Sequence, residues 1–348
     1  MQNIEKKKIA LIGGAGFIGH NLALALKKRG HVPFIFDSLA VNNVLSFTDV
    51  DINIKNRKLY RNILNQRIDL LHDSQIEINV EDARDYSALS RILGLFIKPD
   101  IIIHLAAVAH ANKANKNPHN TFDHSLRTLE NALDHARGGK SNNYKPRVEK
   151  FIFLSSSMVY GNFPSESVSE KDICNPLGIY GTIKYAGELM VKAYHQVFDL
   201  PYTIIRPSAL YGERCVSRRV GQIFIENALM GEEINIHGNG SDRLDFTYID
   251  DFVSGVIKII EGKNAVNETF NLTYGESRTI GELANIVEDQ FPNIKINYLP
   301  KEKLTPDRGT LNVDKARQLI GYAPKFPIEK GFPRYINWYK TAWDSMNS

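Results

Sequence analysis

The 348-residue chain has little sulfur to work with: Cys174 and Cys215 are its two cysteines, and neither has a metal-ligand neighbour. That argues against a disulfide framework and favours a reducing compartment. No cluster of His, Cys and Asp shows ligand spacing, so no metal is expected. No apolar run approaches membrane-spanning length. The N-terminal stretch Met1–Lys8 leads straight into a short apolar segment, without the hydrophobic stretch of a signal peptide. The expectation is a soluble cytoplasmic protein with no membrane partner. Excess charge is also lacking: 43 Lys and Arg stand against 39 Asp and Glu, a net +4. This is too mild for a nucleic-acid binder, but it suits a phosphorylated, anionic small molecule. There is no internal repeat and no low-complexity tract.

What is present is an alternation. Lys8-Ile9-Ala10-Leu11-Ile12 reads as a buried parallel strand, followed by a helix from about Phe17 to Lys28 that Gly30 ends. Phe34-Ile35-Phe36-Asp37 is the second strand. Later strands are read at Ile76-Glu77-Ile78, Asp100 to Leu105, Phe151 to Leu154 and Tyr202 to Ile205. Strands alternating with helices imply an α/β fold with a doubly wound, Rossmann-type parallel sheet. The crossover from Val41 to Asp73 is long, and Arg57, Tyr60, Arg61, Leu64, Arg67 and Leu71 suit an amphipathic helix within it. Arg137 to Asn143 reads as an exposed loop. After Pro207 the alternation loosens. Residues 1–206 are therefore assigned to a dinucleotide-binding domain that also carries the catalytic residues. Residues 207–348 go mainly to a smaller α/β substrate-binding domain, segments of which are free to rejoin the first sheet.

Gly13, Gly16 and Gly19 follow the first strand and open the first helix. The first permits a tight turn, the second lets backbone approach a pyrophosphate, and the third packs helix on strand. Asp37 ends the second strand, where a carboxylate accepts both adenosine ribose hydroxyls and repels a 2′-phosphate; NAD is preferred over NADP. Asp82 is placed near the adenine. Tyr180-Gly181-Thr182-Ile183-Lys184 puts an ammonium one helical turn beyond a phenol. A free tyrosine, with a pKa of about 10, is a poor base at neutral pH. Lowering it to about 7 needs roughly 4 kcal/mol, which two nearby positive charges in a dry site can supply. Lys184 is one such charge and can also bond a nicotinamide ribose hydroxyl. The oxidised nicotinamide is the other. Ser156, at the end of a parallel strand, can bond the reacting oxygen.

With these motifs the chain resembles the extended short-chain dehydrogenase/reductase family, in its NAD-dependent nucleotide-sugar epimerase/dehydratase group. The likeness runs over Gly13–Gly19, Asp37, Asp82-Ala83-Arg84-Asp85, His104-Leu105-Ala106-Ala107, Ser155–Gly161, Tyr180–Lys184, Arg206-Pro207, Tyr211-Gly212, Asp245–Asp251 and Gly321-Tyr322-Ala323-Pro324. The resemblance implies that NAD is kept bound and oxidises a sugar at C4. It adds Phe17, Ile18, Ser38, Ala83, Leu105, Ala106, Ala107 and Pro207 to the cofactor residues, beside Tyr180 and Lys184. It places His110 and Ser157 at the substrate, and His124 near the same pocket with a structural hydrogen bond to a strand carbonyl as its expected job. It also implies a homodimer through helices of about 119–136 and 180–198. The common 4,6-dehydratases carry an Asp-Glu pair where this chain has Ser157 and Met158. Neither can act as the acid or base of an elimination, which favours 4-epimerisation. An atypical dehydratase, decarboxylase or C4 oxidase, and a non-catalytic dinucleotide sensor, are the alternatives.

Three positions depart from the family's nucleotide-binding pattern: Ala209 in place of Asn, and Leu244 and Leu304 in place of Arg. Arg214, Arg218, Arg219, Arg243 and Arg308 are the candidates to replace them, since guanidinium forks suit phosphates.

Overall fold

A computed structural model describes residues 5–40, 43–44, 56–108, 111–139, 143, 145–301 and 306–347. Seven strands form the central sheet: β1 (Lys8–Ile12), β2 (Val32–Asp37), β3 (Glu77–Val80), β4 (Ile101–His104), β5 (Lys150–Leu154), β6 (Tyr202–Arg206) and β7 (Glu268–Asn271). Their spatial order is β7-β6-β5-β4-β1-β2-β3. Every neighbouring pair is parallel. This is the doubly wound Rossmann-type arrangement, and its order reverses between β1 and β4. The crevice at that reversal lies beyond Ile12, which is in register with both Phe36 and His104.

The strands are apolar on both faces because both are covered. Ile9 and Leu11 pack into one cluster with Leu22 and Leu26 of α1 (Phe17–Lys28) and with Phe252, Val256 and Ile260 of a later helix (Ile249–Glu261). Ala10 and Ile12 point the other way, into a cluster with Phe151, Phe153, Leu129, Leu133 and Val191. The period-2 alternation of a strand thus feeds two separate helical layers. The long crossover forms α2 (Arg57–Asp73). Its Leu59, Tyr60, Ile63 and Leu64 leave the sheet and join a third cluster built from Phe224, Ile225, Ile234, Leu283, Phe332 and Tyr335. The chain crosses between its two halves in both directions: α2 goes outward to the later residues, and β7 returns from them to the edge of the sheet.

Among the described residues, no helix is long and apolar enough to cross a membrane, and no group of three or more His, Cys, Asp or Glu could hold a metal.

Candidate active site

The glycine loop leaves β1 at the sheet's reversal. Gly13 has φ +80, and a Cβ there would lie 2.6 Å from the Ala106 amide nitrogen, so only glycine lets the strand-β4 extension pass this close. A Cβ on Gly19 would sit 2.4 Å from the Gly14 carbonyl oxygen, which fixes α1 tightly against its own loop. Gly16 faces a more open side; its Cβ would meet only the Gly13 carbonyl, at 3.3 Å. The first turn of α1 carries no acidic residue. Its positive end is thus left to an external anion, which fits the diphosphate of a dinucleotide. Phe17 and Ile18 begin that turn, half-buried and packed on the core. Leu105, Ala106 and Ala107 line the loop after β4.

Asp37 accepts the Ala15 amide on Oδ2 at 2.9 Å and the Leu39 amide on Oδ1 at 2.8 Å. Burial raises its pKa, while these two bonds and the charge of Arg67 oppose the rise. Each oxygen keeps a lone pair for a ribose hydroxyl. Ser38 follows, half-buried. Asp82 is paired with Arg84 at 2.6 Å, and the same guanidinium reaches Asp123 at 2.6 Å. His124 lies among these charges rather than at a strand carbonyl; desolvation and Arg84 lower its pKa. The Ala83 carbonyl accepts from Asn131.

The residues expected to move the proton lie at the carboxyl end of β5. The helix that carries Tyr180 and Lys184, α3 (Gly178–Phe198), approaches the turn after that strand closely because residue 181 is glycine; a Cβ there would be 2.6 Å from the Met158 carbonyl oxygen. Ser156 is extended (φ −163, ψ 153), accepts the Met158 amide on its Oγ at 3.2 Å, and lies near enough to Tyr180 to lower the pKa of that phenol. Ser157, also buried, donates its amide to the Pro207 carbonyl at 2.9 Å. Lys184 donates from Nζ to the Leu154 carbonyl at 2.6 Å and stands over the Phe153 ring at 5.1 Å. Burial lowers its pKa to about 8, against the opposing charge of Glu188. Burial also raises Tyr180, and the groups that resist are the charge of Arg219 and the bond from Ser156. The protein's own groups therefore do not make a phenolate; a further positive charge is required, and oxidised NAD carries one.

His104 was visible in the sequence only as part of a motif. Its Nε2 lies 3.1 Å from Thr128 Oγ1, whose hydroxyl donates to the His124 carbonyl, so Nε2 carries the proton. Its Nδ1 is buried with no partner. Desolvation and the charge of Lys184 push its pKa down to about 3, so it is neutral.

The expected substrate residues are less convergent. His110 and Leu304 lie outside the described residues. Arg214 turns to α1, with Nε on His20 at 3.0 Å and Nη2 on Asn21 at 2.8 Å. Arg243 is exposed and bonds Ser277 through Nε at 3.0 Å and Nη2 at 2.8 Å. Exposed Arg218 and Arg219 precede a helix (Val220–Leu229). The charge of Arg219 bears on both Tyr180 and Arg308. Desolvation and then Arg219 lower Arg308 to about 10, and its Nε is buried without a partner. Of the five candidate arginines, Arg219 is the one whose charge bears on Tyr180, and it bears on Arg308 as well.

Sequence reasoning overlooked Glu188 and His20. Glu188 stands one turn beyond Lys184, so the 3.6-residue period could have placed it on the catalytic face. His20 gives no comparable signal.

A family model described as "NAD dependent epimerase/dehydratase family" matches residues 9–273. A Bacillus subtilis protein described as the uncharacterized UDP-glucose epimerase YtcB is 26% identical over 339 residues, covering 97% of this chain and 99% of its own. The crystal structure of UDP-glucuronic acid 4-epimerase from Bacillus cereus, in complex with UDP-glucuronic acid and NAD, superposes with a TM-score of 0.82 at 26% identity. It covers 96% of this chain and 99% of that one. A UDP-N-acetylglucosamine 4-epimerase from Methanobrevibacter ruminantium, in complex with UDP-N-acetylmuramic acid, gives 0.79 at 25% identity, covering 97% and 99%.

Proposed function

Because the chain belongs to the NAD-dependent epimerase/dehydratase family, we propose that it is a nucleotide-sugar 4-epimerase working through a transient 4-keto sugar, with a UDP-sugar as substrate. The observation that carries this reading is the assembly of Ser156, Tyr180 and Lys184 at one strand end, beside a glycine loop and Asp37. The substrate assignment draws on the UDP-sugars named for the similar epimerases.

Gly13, Gly16 and Asp37 would hold NAD, with Lys184 at the nicotinamide ribose. When bound, NAD supplies the hydride acceptor and a positive charge beside the phenol. Tyr180 takes the proton from the sugar O4 as the C4–H bond gives up its electron pair, leaving a C4 ketone. Ser156 orients the same oxygen. After the keto sugar turns in the site, the C4–H bond re-forms on its opposite face and Tyr180 returns the proton to O4. Ser157 and Met158 offer no acid or base for loss of water at this stage. Arg219 and Arg308 are assigned to the anionic part of the substrate; an anion between two mutually repelling guanidinium groups relieves both.

We assign a homodimer to the same reading. Phe122, Leu189 and Val197 are 46%, 51% and 70% exposed on the two helical stretches that a four-helix interface would use. Light scattering tests it. The two free cysteines suit a cytoplasmic setting.

The deciding experiment incubates the protein with UDP-, GDP-, CDP- and dTDP-sugars and follows products by mass spectrometry and NMR. An epimer of unchanged mass supports the reading. A product lighter by water or carbon dioxide replaces it with a lyase. A protein whose bound NAD no sugar reduces is a dinucleotide binder without this chemistry.

A further inference from the structure

Behind the reacting groups lies a buried polar network that the proton-transfer scheme does not use. Glu188, on α3 one turn past Lys184, is fully buried, and Arg206 at the end of β6 is 3% exposed. They form a two-pronged pair, Arg206 Nε to Oε1 at 2.9 Å and Nη2 to Oε2 at 2.6 Å. The Ser155 hydroxyl donates to the same Oε1 at 2.5 Å. Arg206 uses Nη1 on the Tyr160 hydroxyl at 2.8 Å, and that hydroxyl donates to Asn271 of β7 at 2.7 Å. One carboxylate therefore joins the catalytic helix to two strand ends, and through Tyr160 to a third.

Ser155 and Ser157 flank Ser156, and both are pinned. Ser155 is fixed by Glu188, and by its own amide on the Ile205 carbonyl at 2.8 Å; Ser157 is fixed by the Pro207 carbonyl. Pro207 follows Arg206. The two ends of the Ser156 segment are thus tied, directly or through one residue, to the ion pair. Tyr180, Lys184 and Glu188 recur at i, i+4 and i+8 along one helix face. The carboxylate consequently ties the strand end that bears Ser156 to the helix that bears Tyr180.

We infer that Glu188 is a positioning residue for the reaction: with Arg206 it clamps the strand end bearing Ser156 to the helix bearing Tyr180 and Lys184, and it sets a carboxylate one helical turn from Lys184. The inference rests on the epimerase reading of the site. The groups facing this pair are Lys184 on the same helix, Ser155 from the end of β5, Tyr160 from the turn after it, Glu170 and Cys174 from the segment before the helix, and Tyr202 from β6, while His104 from β4 faces Lys184. His104 is neutral, and Glu188 is the anion whose charge bears on Lys184; removing it would also leave the Arg206 guanidinium without its partner. A mere structural strut would contribute stability and leave the protonation of Lys184 alone.

The test compares wild type, Glu188→Gln and Ser155→Ala, each purified with its NAD. Glu188→Gln is expected to lower kcat by up to about 100-fold at nearly constant KM, and to move the alkaline limb of the pH profile down by about one unit. A folded, NAD-containing Glu188→Gln protein with the wild-type kcat and limb overturns the inference. If that variant fails to fold, Ser155→Ala decides, because it leaves the ion pair intact. A fall in kcat of about tenfold at unchanged KM supports the clamp, and an unchanged kcat overturns it. A wild-type protein that shows no sugar-dependent reduction of bound NAD ends the functional reading; the Lys184 titration, followed by 15N NMR in wild type and Ser155→Ala or Glu188→Gln, then judges the electrostatic part alone. A lower Lys184 pKa in Glu188→Gln supports it, and an unmoved one overturns it.

Discussion

Arg214 Nε donates to His20 Nε2 at 3.0 Å, joining a turn beyond the sixth strand to the helix that opens at the glycine loop. His20 Nδ1 lies 2.9 Å from the Gly16 carbonyl, so this nitrogen carries the ring proton and Nε2 is free to accept. Burial and the charges of Arg67 and Arg214 push the His20 pKa well below its usual value, which secures that neutral tautomer. The Arg214 carbonyl is in turn gripped by Arg67 at 2.9 and 2.6 Å. Arg214 thus braces the loop that holds the coenzyme. Arg214→Met is expected to weaken NAD binding about tenfold, since a hydrogen bond to a charged group contributes about 1.5–3 kcal/mol, while KM for the nucleotide sugar changes little. NAD content after exhaustive dialysis, and calorimetric titration of the stripped protein, measure it. Unchanged NAD affinity with a tenfold higher KM would return Arg214 to the substrate phosphates.

Tyr180 is the proton carrier of the proposed reaction, and Phe keeps its ring without the hydroxyl. Tyr180→Phe should retain NAD and the fold but lose about 10²–10⁴ in kcat, the range of a single general acid–base group. Undiminished turnover in this variant would remove Tyr180 from the chemistry.

The buried parallel strands and the shared helical face of Tyr180 and Lys184 were readable from the sequence for physical reasons. Lys8–Ile12 and Phe151–Leu154 are apolar without alternation, as doubly covered strands must be. The spacing from Tyr180 to Lys184 fixes a shared helical face whatever the tertiary context. The fate of Arg214 was not readable, because its partner His20 is 194 positions away and local patterning carries no such pairing. The destination of α2 was equally hidden. Its amphipathic stripe announces a buried face but cannot say that Leu59 and Ile63 pack on Phe332 and Tyr335 rather than on the sheet. Asp82 was legible as an acidic loop residue, whereas its pairing with Arg84 two residues away was not.

Lys184 sets the alkaline behaviour. Its folded pKa is lowered to about 8, chiefly by burial. The charged form is the one proposed to hold the nicotinamide ribose, so activity that depends on it is present below that value and is lost as pH rises through it. The kcat/KM profile of the NAD-loaded enzyme, which reports groups of the free protein, should fall above about pH 8. A profile flat to pH 10 would mean that the ammonium charge is not needed.

Ala209 replaces the asparagine that the family favours, and its φ of +36 places it in the left-handed region. Asparagine and glycine tolerate that region, whereas a Cβ-bearing alanine is strained there. Arg214 and Arg218, at φ +62 and +50, share the condition, so the connection from β6 to the next helix carries three such non-glycine positions. Ala209→Gly should relieve the strain and raise stability by about 0.5–1 kcal/mol, a rise of roughly 1–2 °C in Tm. Ala209→Asn should act in the same direction, and Ala209→Val in the opposite one, because β-branching makes positive φ more costly. Thermal unfolding of the four proteins measures the order. If Gly and Val both lower Tm, the methyl group of Ala209 contributes packing that outweighs its backbone strain, and the left-handed turn is then maintained by its neighbours: the Thr247 amide donates to the Ala209 carbonyl at 3.3 Å, anchoring the turn from the other side.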